Sequence, residues 1–198
     1  MTHFNGTRGA DLFIGTSECD QFYINNTGDE IIGGGAGDSV VSSIDYVLND
    51  GITYLLLTGR AINGTGNNTE NNVIGNRQDN VLNGGLGIDR LQGGAGRDTF
   101  VFDAGGRQHA DYVMDFTSGT DRLAISGEAF GITAGAAFDY VEDWNSLGSG
   151  PAFIRESLPG LAPTIWFDAD GQGGQDAQVL CTLQWRNNAT TTADFAII

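Results

Sequence analysis

The chain has 198 residues, 9 of them basic and 25 acidic, for a formal net charge of −16, and is long enough for one or two small domains. Every basic residue is an arginine, which excludes lysine Schiff bases, pyridoxal phosphate and phosphate-loop chemistry. The acidic balance disfavours nucleic acid and anionic membranes as partners and suits a multivalent cation.

At the N-terminus, Met1-Thr2-His3-Phe4-Asn5 lacks the charged-then-apolar pattern of a signal peptide. No apolar run approaches the ~18 residues of a membrane span. A nine-residue comb then begins. Asp11, Asp20, Asp29 and Asp38 are followed two residues on by Phe13, Phe22, Ile31 and Val40. The comb returns as Asn71, Asn80, Asp89 and Asp98, with Val73, Leu82, Leu91 and Phe100 as partners. The repeats fall in two blocks, 6–41 and 66–101. Such a period marks a solenoid, one turn and one short strand per repeat, with the middle strand residue inward.

Between the blocks, Ser43–Val47 alternates polar and apolar residues, Asn49-Asp50-Gly51 makes a turn, and Tyr54–Leu57 follows. This predicts two further strands within 42–65, extra coil joining the blocks. Position nine of the first block is apolar throughout (Ile14, Tyr23, Ile32, Val41), pointing away from the interior. It reads either as a docking stripe, for a partner or for the C-terminal half, or as ordinary exposed apolar residues.

Gly84-Gly85-Leu86-Gly87-Ile88-Asp89-Arg90-Leu91-Gln92 and Gly93-Gly94-Ala95-Gly96-Arg97-Asp98-Thr99-Phe100-Val101 fit the pattern G-G-x-G-x-D-x-U-x. They resemble the calcium-binding repeat of the repeats-in-toxin (RTX) proteins. Positive-φ glycines bring backbone carbonyls close to an ion, and aspartate adds the hard anionic oxygen that calcium prefers. The resemblance implies an all-β, right-handed parallel β-roll, with Ca2+ ligands at Gly84, Gly85, Gly87, Asp89, Gly93, Gly94, Gly96 and Asp98. It extends the ligand set to Asp11, Asp20, Asp29, Asp38, Asn71 and Asn80. Alternate repeats stack about 4.8 Å apart, which predicts the facing pairs Asp11–Asp29, Asp20–Asp38, Asn71–Asp89 and Asn80–Asp98. The alternative is a glycine-rich solenoid whose aspartates only accept turn hydrogen bonds. In the first block Gly15–Asp20 keeps one glycine and Ile24–Asp29 none at its usual places, so those two loops are expected to bind weakly or not at all; Asn71 and Asn80 each cost their pair a charge and with it affinity.

From residue 102 the comb stops. Asp111-Tyr112-Val113-Met114-Asp115-Phe116-Thr117-Ser118-Gly119-Thr120-Asp121-Arg122-Leu123-Ala124-Ile125-Ser126 resembles the segment after the last repeat in serralysin-type C-terminal domains, leading into a β-rich cap over 102–198. Asp111, and with it Asp121, either completes a calcium half-site or caps a turn. Thr164–Gly173 and Ala177–Trp185 predict a hairpin; its D-x-D-G loop has Val179 where an EF-hand needs a carboxylate, so it reads as a family turn. Cys19 and Cys181 are read as two free thiols, with Cys181 on a core face beside Val179 and Leu183. Asp194-Phe195-Ala196-Ile197-Ile198 resembles the C-terminal signal of type I secretion in Gram-negative bacteria, with a last strand as the alternative.

The function these residues predict is a secreted, extracellular calcium-binding RTX protein. It has no catalytic centre, and its roll folds on binding calcium after export by the type I apparatus. The other reading is a calcium-dependent polysaccharide- or cell-surface-binding module using Trp144, Trp166 and Trp185. An enzyme is disfavoured, since neither H-E-x-x-H nor G-x-S-x-G occurs.

Overall fold

The computed structural model describes residues 1–35, 37–172, 177–184 and 189–198. Gly173 and Trp185 lie outside these. Among the described residues there is no α-helix, only two 3-10 turns, at Trp144–Ser146 and Thr192–Asp194. The repetitive part runs β1 (Thr2–Asn5), β2 (Leu12–Ile14), β3 (Asp20–Ile24), β4 (Glu30–Ile32), β5 (Ser39–Ser42), β6 (Tyr46–Val47) and β7 (Tyr54–Leu57). It continues as β8 (Asn63–Thr65), β9 (Asn72–Ile74), β10 (Val81–Asn83), β11 (Arg90–Gln92), β12 (Thr99–Phe102), β13 (Asp111–Val113) and β14 (Arg122–Ile125). The chain ends through β15 (Asp139–Val141), β16 (Ala152–Glu156), β17 (Thr164–Asp168), β18 (Gln178–Leu183) and β19 (Phe195–Ile197).

Up to β14, odd and even strands separate into two walls. One wall is ordered β1-β3-β5-β7-β9-β11-β13-β18-β17-β16-β15; the other is β6-β8-β10-β12-β14-β19, preceded by the separate pair β2-β4. Pairing is parallel from coil to coil and antiparallel only at β16-β17-β18. This is a parallel β-solenoid with an antiparallel C-terminal region.

The middle residue of each strand points inward, because side chains alternate along a strand. On the first wall the register stacks Phe4, Phe22, Val40, Leu55, Val73, Leu91, Val113 and Leu183 in one column. The second stacks Tyr46, Gly64, Leu82, Phe100, Leu123 and Phe195. Gly64 stands where a large residue is expected. A Cβ there would lie 3.1 Å from Leu57 Cδ1 and 3.3 Å from Leu82 Cδ2, so neighbouring leucines fill that level. At the C-terminal end the column closes on an aromatic cluster. Phe153 lies 4.7 Å from Phe195, 4.9 Å from Phe167 and 5.0 Å from Phe138, ring to ring.

The position-nine residues face outward as expected. Ile14 and Ile32 are 64% and 50% exposed, so the C-terminal half does not cover them. Cys181 is buried and Cys19 exposed, both as free thiols. Among the described residues no helix is long and apolar enough to cross a membrane.

Candidate metal centre

Position six of each repeat lies at the entry to a strand, and the stacking of coils brings these positions together. The backbone N–H of Asp11 donates to Asp29 Oδ1 at 3.0 Å, and that of Asp20 to Asp38 Oδ1 at 2.7 Å. Asn71 N–H donates to Asp89 Oδ1 at 2.7 Å, and Asn80 N–H to Asp98 Oδ1 at 2.8 Å. The same bond links Asp89 N–H to Asp111 Oδ1 at 2.9 Å and Asp98 N–H to Asp121 Oδ1 at 3.0 Å. All four facing pairs therefore meet through a backbone-to-carboxylate bond, and Asp111 and Asp121 continue the two ladders.

The second carboxylate oxygen separates the blocks. In the first block, Oδ2 accepts a backbone N–H from its own turn: Thr7 to Asp11, Thr16 to Asp20, Asn25 and Asn26 to Asp29, and Gly35 to Asp38. The Thr7 and Thr16 hydroxyls add further bonds to Asp11 and Asp20. Burial pushes the Asp20 carboxyl up, but the donors of Thr16 and Thr2 outweigh it and hold it below its usual value.

In the full glycine copies those turn donors point elsewhere. Gly85 N–H goes to Asn83 Oδ1, while Gly93 and Gly94 N–H go to Asp115. Asp89 Oδ2 is left buried without a hydrogen-bond partner, a condition that costs about 1–3 kcal/mol unless a cation or proton relieves it. The Asp89 and Asp111 carboxyls lie within hydrogen-bonding reach of each other, and burial followed by neighbouring negative charge pushes both upward. At the opposite edge, Asp98 and Asp121 line a cavity of about 350 Å³ with Asp79, Asp194, Arg97 and Arg122. Burial, then Asp121, Asp115 and Asp79, raise Asp98 to about 6.

The surroundings suit a hard cation. A Cβ at Gly84 or Gly93 would strike Asp89 or Asp98 Oδ2, and one at Gly85 or Gly94 would strike the carbonyl of Asn67 or Asn76. Gly85, Gly87, Gly94 and Gly96 all have φ between +87° and +135°, a region closed to most L-residues. Carbonyl and carboxylate oxygens thus share a space that only glycine leaves open. No group of three His, Cys, Asp or Glu side chains converges among the described residues, so backbone oxygens must supply most of any coordination shell.

The peptidase M10 serralysin C-terminal family matches residues 6–196. The chain belongs to this family. No curated protein matches it. A serralysin-type C-terminal domain is a non-catalytic module, typically calcium-binding, and the chain contains no catalytic domain.

Four residues of this serralysin-type domain take roles that the comb does not reveal. Asp115 clamps Gly93 and Gly94, and His109 Nδ1 accepts Gly87 N–H at 3.0 Å. Asn67 and Asn76, at position two of their repeats, bind carbonyls of the preceding coil. Their signal was an amide standing where the full copies have glycine. In the hairpin loop, Asp168 Oδ1 accepts Asp170 and Gly171 N–H, a turn role as expected. Trp144 and Trp166 pack edge to face at 5.6 Å, with Trp166 Nε1 on Glu156.

Proposed function

We propose that this domain is a secreted calcium-binding module whose acid-rich coils close when calcium is bound outside the cell. The observation that carries this reading is Asp89 Oδ2, a buried oxygen with no donor, beside a second carboxyl. Asp89 and Asp111 would hold the ion at one edge and Asp98 and Asp121 at the other, with carbonyls of the glycine turns. Bound calcium supplies a divalent positive charge shared among six to eight oxygens. The chain's own part is to present those oxygens in register, which the position-six ladder does, and to withhold a turn donor from Asp89, while Asp121 Oδ2 keeps the N–H of Thr117.

Without such a charge, the facing carboxylates repel and the glycine-rich turns lose order readily. At the roughly 10⁻⁴–10⁻³ M dissociation range of extracellular modules, closure would follow release from a calcium-poor cytosol. Export through a type I apparatus fits the terminal segment. Asp194, Phe195 and Ile197 are buried once folded, so a receptor would meet them only in the open chain.

The test is a calcium titration of chelator-stripped protein followed by far-UV circular dichroism, with magnesium as control. A calcium-specific gain of strand signal is expected. Identical spectra with and without excess calcium would sink the reading.

A further inference from the structure

Ahead of Gly84, the turn carbonyls of the connecting coil already have side-chain amide donors. Asn67 Nδ2 donates to Asn49 and Ile52 carbonyl oxygens, both at 2.8 Å, and Asn71 Nδ2 reaches Ile52 O at 3.4 Å. At the other edge, Asn76 Nδ2 donates to Thr58 O and Ala61 O, and Asn80 Nδ2 to Ala61 O and Ile62 O at 3.1 Å. In the first block Asn25 and Asn26 do the same to Gly6 O and Arg8 O. Asn71 Oδ1 and Asn80 Oδ1 meanwhile accept the turn N–H of Asn67 and Asn76, each at 2.7 Å.

An amide NH₂ offers two donors and no charge. Aimed at backbone carbonyls, it occupies the electrostatic place that a cation takes among the oxygens of a glycine turn. Asn67 and Asn71 are 8% and 1% exposed, and their amides already fill that place with donors.

We infer that these asparagines are built-in substitutes for calcium, so that the coils up to Asn83 hold together by hydrogen bonds alone. Calcium dependence is then confined to the coils that carry Asp89, Asp98, Asp111 and Asp121. This rests on the calcium reading above and adds a boundary to it: the solenoid has a permanent N-terminal half that serves as a template for a conditional one. Parallel pairing makes the boundary physical. β11 pairs on β9 and β12 pairs on β10, so ordered amide-held strands wait as edges for the calcium-held strands.

Amide hydrogen exchange of the full chain, read by mass spectrometry in millimolar calcium and in chelator, tests this. At calcium about 100 times Kd, one site contributes a factor of about 100 to the folded population. Protection of β11 to β14 is therefore expected to fall about 100-fold in chelator, while β3, β5, β7 and β9 keep theirs. Equal loss across β3 to β14 overturns the inference and leaves the calcium reading standing. No loss anywhere overturns both. The variant N67D/N71D/N76D/N80D replaces each of these amide donors by an acceptor; β9 and β10 are then expected to lose protection in chelator. Full retention of their protection in that variant also overturns the proposal.

Discussion

Asp89→Asn separates a cation ligand from a structural acceptor. In the calcium-free protein, Asp89 Oδ2 is buried without a donor and faces the Asp111 carboxyl. An unpaired buried acceptor costs about 1–3 kcal/mol. The D89N amide turns that atom into a donor aimed at Asp111, while its oxygen remains to accept Asn71 N–H. A domain of this size shifts its melting temperature by roughly 2–4 °C per kcal/mol, so D89N is expected to melt about 2–12 °C higher in chelator.

On the proposed calcium reading, the ion is expected to reverse the benefit. At about 100 times Kd, one site stabilises by about 2.7 kcal/mol, which D89N forfeits. The calcium-induced rise in melting temperature should shrink by about 5–11 °C on the same scale. Thermal circular dichroism of both proteins, with and without chelator, reads all four values. A D89N protein that melts lower in chelator, or that keeps the full calcium-induced rise, refutes the assignment of the orphaned oxygen.

The calcium-free protein should also respond to pH. Asp98 is raised from 3.8 to about 6, so it holds its proton more tightly when folded, and stability falls as pH rises from about 4 through about 6. Chelator-treated protein is expected to melt higher near pH 5 than near pH 7.5 (about one unit either side of the titration); the reverse order contradicts the burial of Asp98. Gly94→Ala and Gly106→Ala both force alanine to φ near +96°, costing roughly 1–2 kcal/mol each. Only the Gly94 Cβ meets a carbonyl, that of Asn76, whereas Gly106 has open space. Urea denaturation in calcium should therefore find G94A clearly the less stable, and equal losses would argue against the cradle. Phe153→Ala empties the aromatic cluster and is expected to cost about 3–5 kcal/mol, equally in calcium and in chelator; a loss that appears only in chelator would tie the cluster to the metal sites.

The inward columns were legible because a period of nine with an apolar partner two residues on fixes which side chain faces the core. Phe13, Phe22, Ile31, Val40, Val73, Leu82, Leu91 and Phe100 are all buried. The third strand of the connecting coil, β8, was not legible, since Gly64 carries no side chain to mark an inward position. Pairing also outlasts the comb. β13 and β14 extend the walls although their acceptors, Asp111 and Asp121, follow Asp89 and Asp98 by 22 and 23 residues, not 18. Longer turns hide a period in the sequence without disturbing register in the sheet.

What the comb conceals most is that position six does two things at once. One atom must serve the stacking of coils, and aspartate's Oδ1 does so by accepting the N–H of the coil before. The remaining atom is then free to be answered in one of three ways. A turn N–H answers it in Asp11, Asp20, Asp29 and Asp38. In Asn71 and Asn80 the oxygen takes the turn N–H, and the amide nitrogen answers the preceding carbonyls. In Asp89 nothing within the chain answers it. Aspartate and asparagine therefore look alike as solenoid builders, and the difference lies in the turn before them. In the last two copies glycines at positions one and two let the turn N–H swing to Asn83 or Asp115. Threonine or asparagine at position two keeps that N–H on its own turn's position six, and the Gly33-Gly34 copy keeps such a bond through Gly35 at position three. On the calcium reading proposed above, the need for an ion would thus be set by the turn before the carboxylate and by where that turn's N–H groups point, not by position six alone.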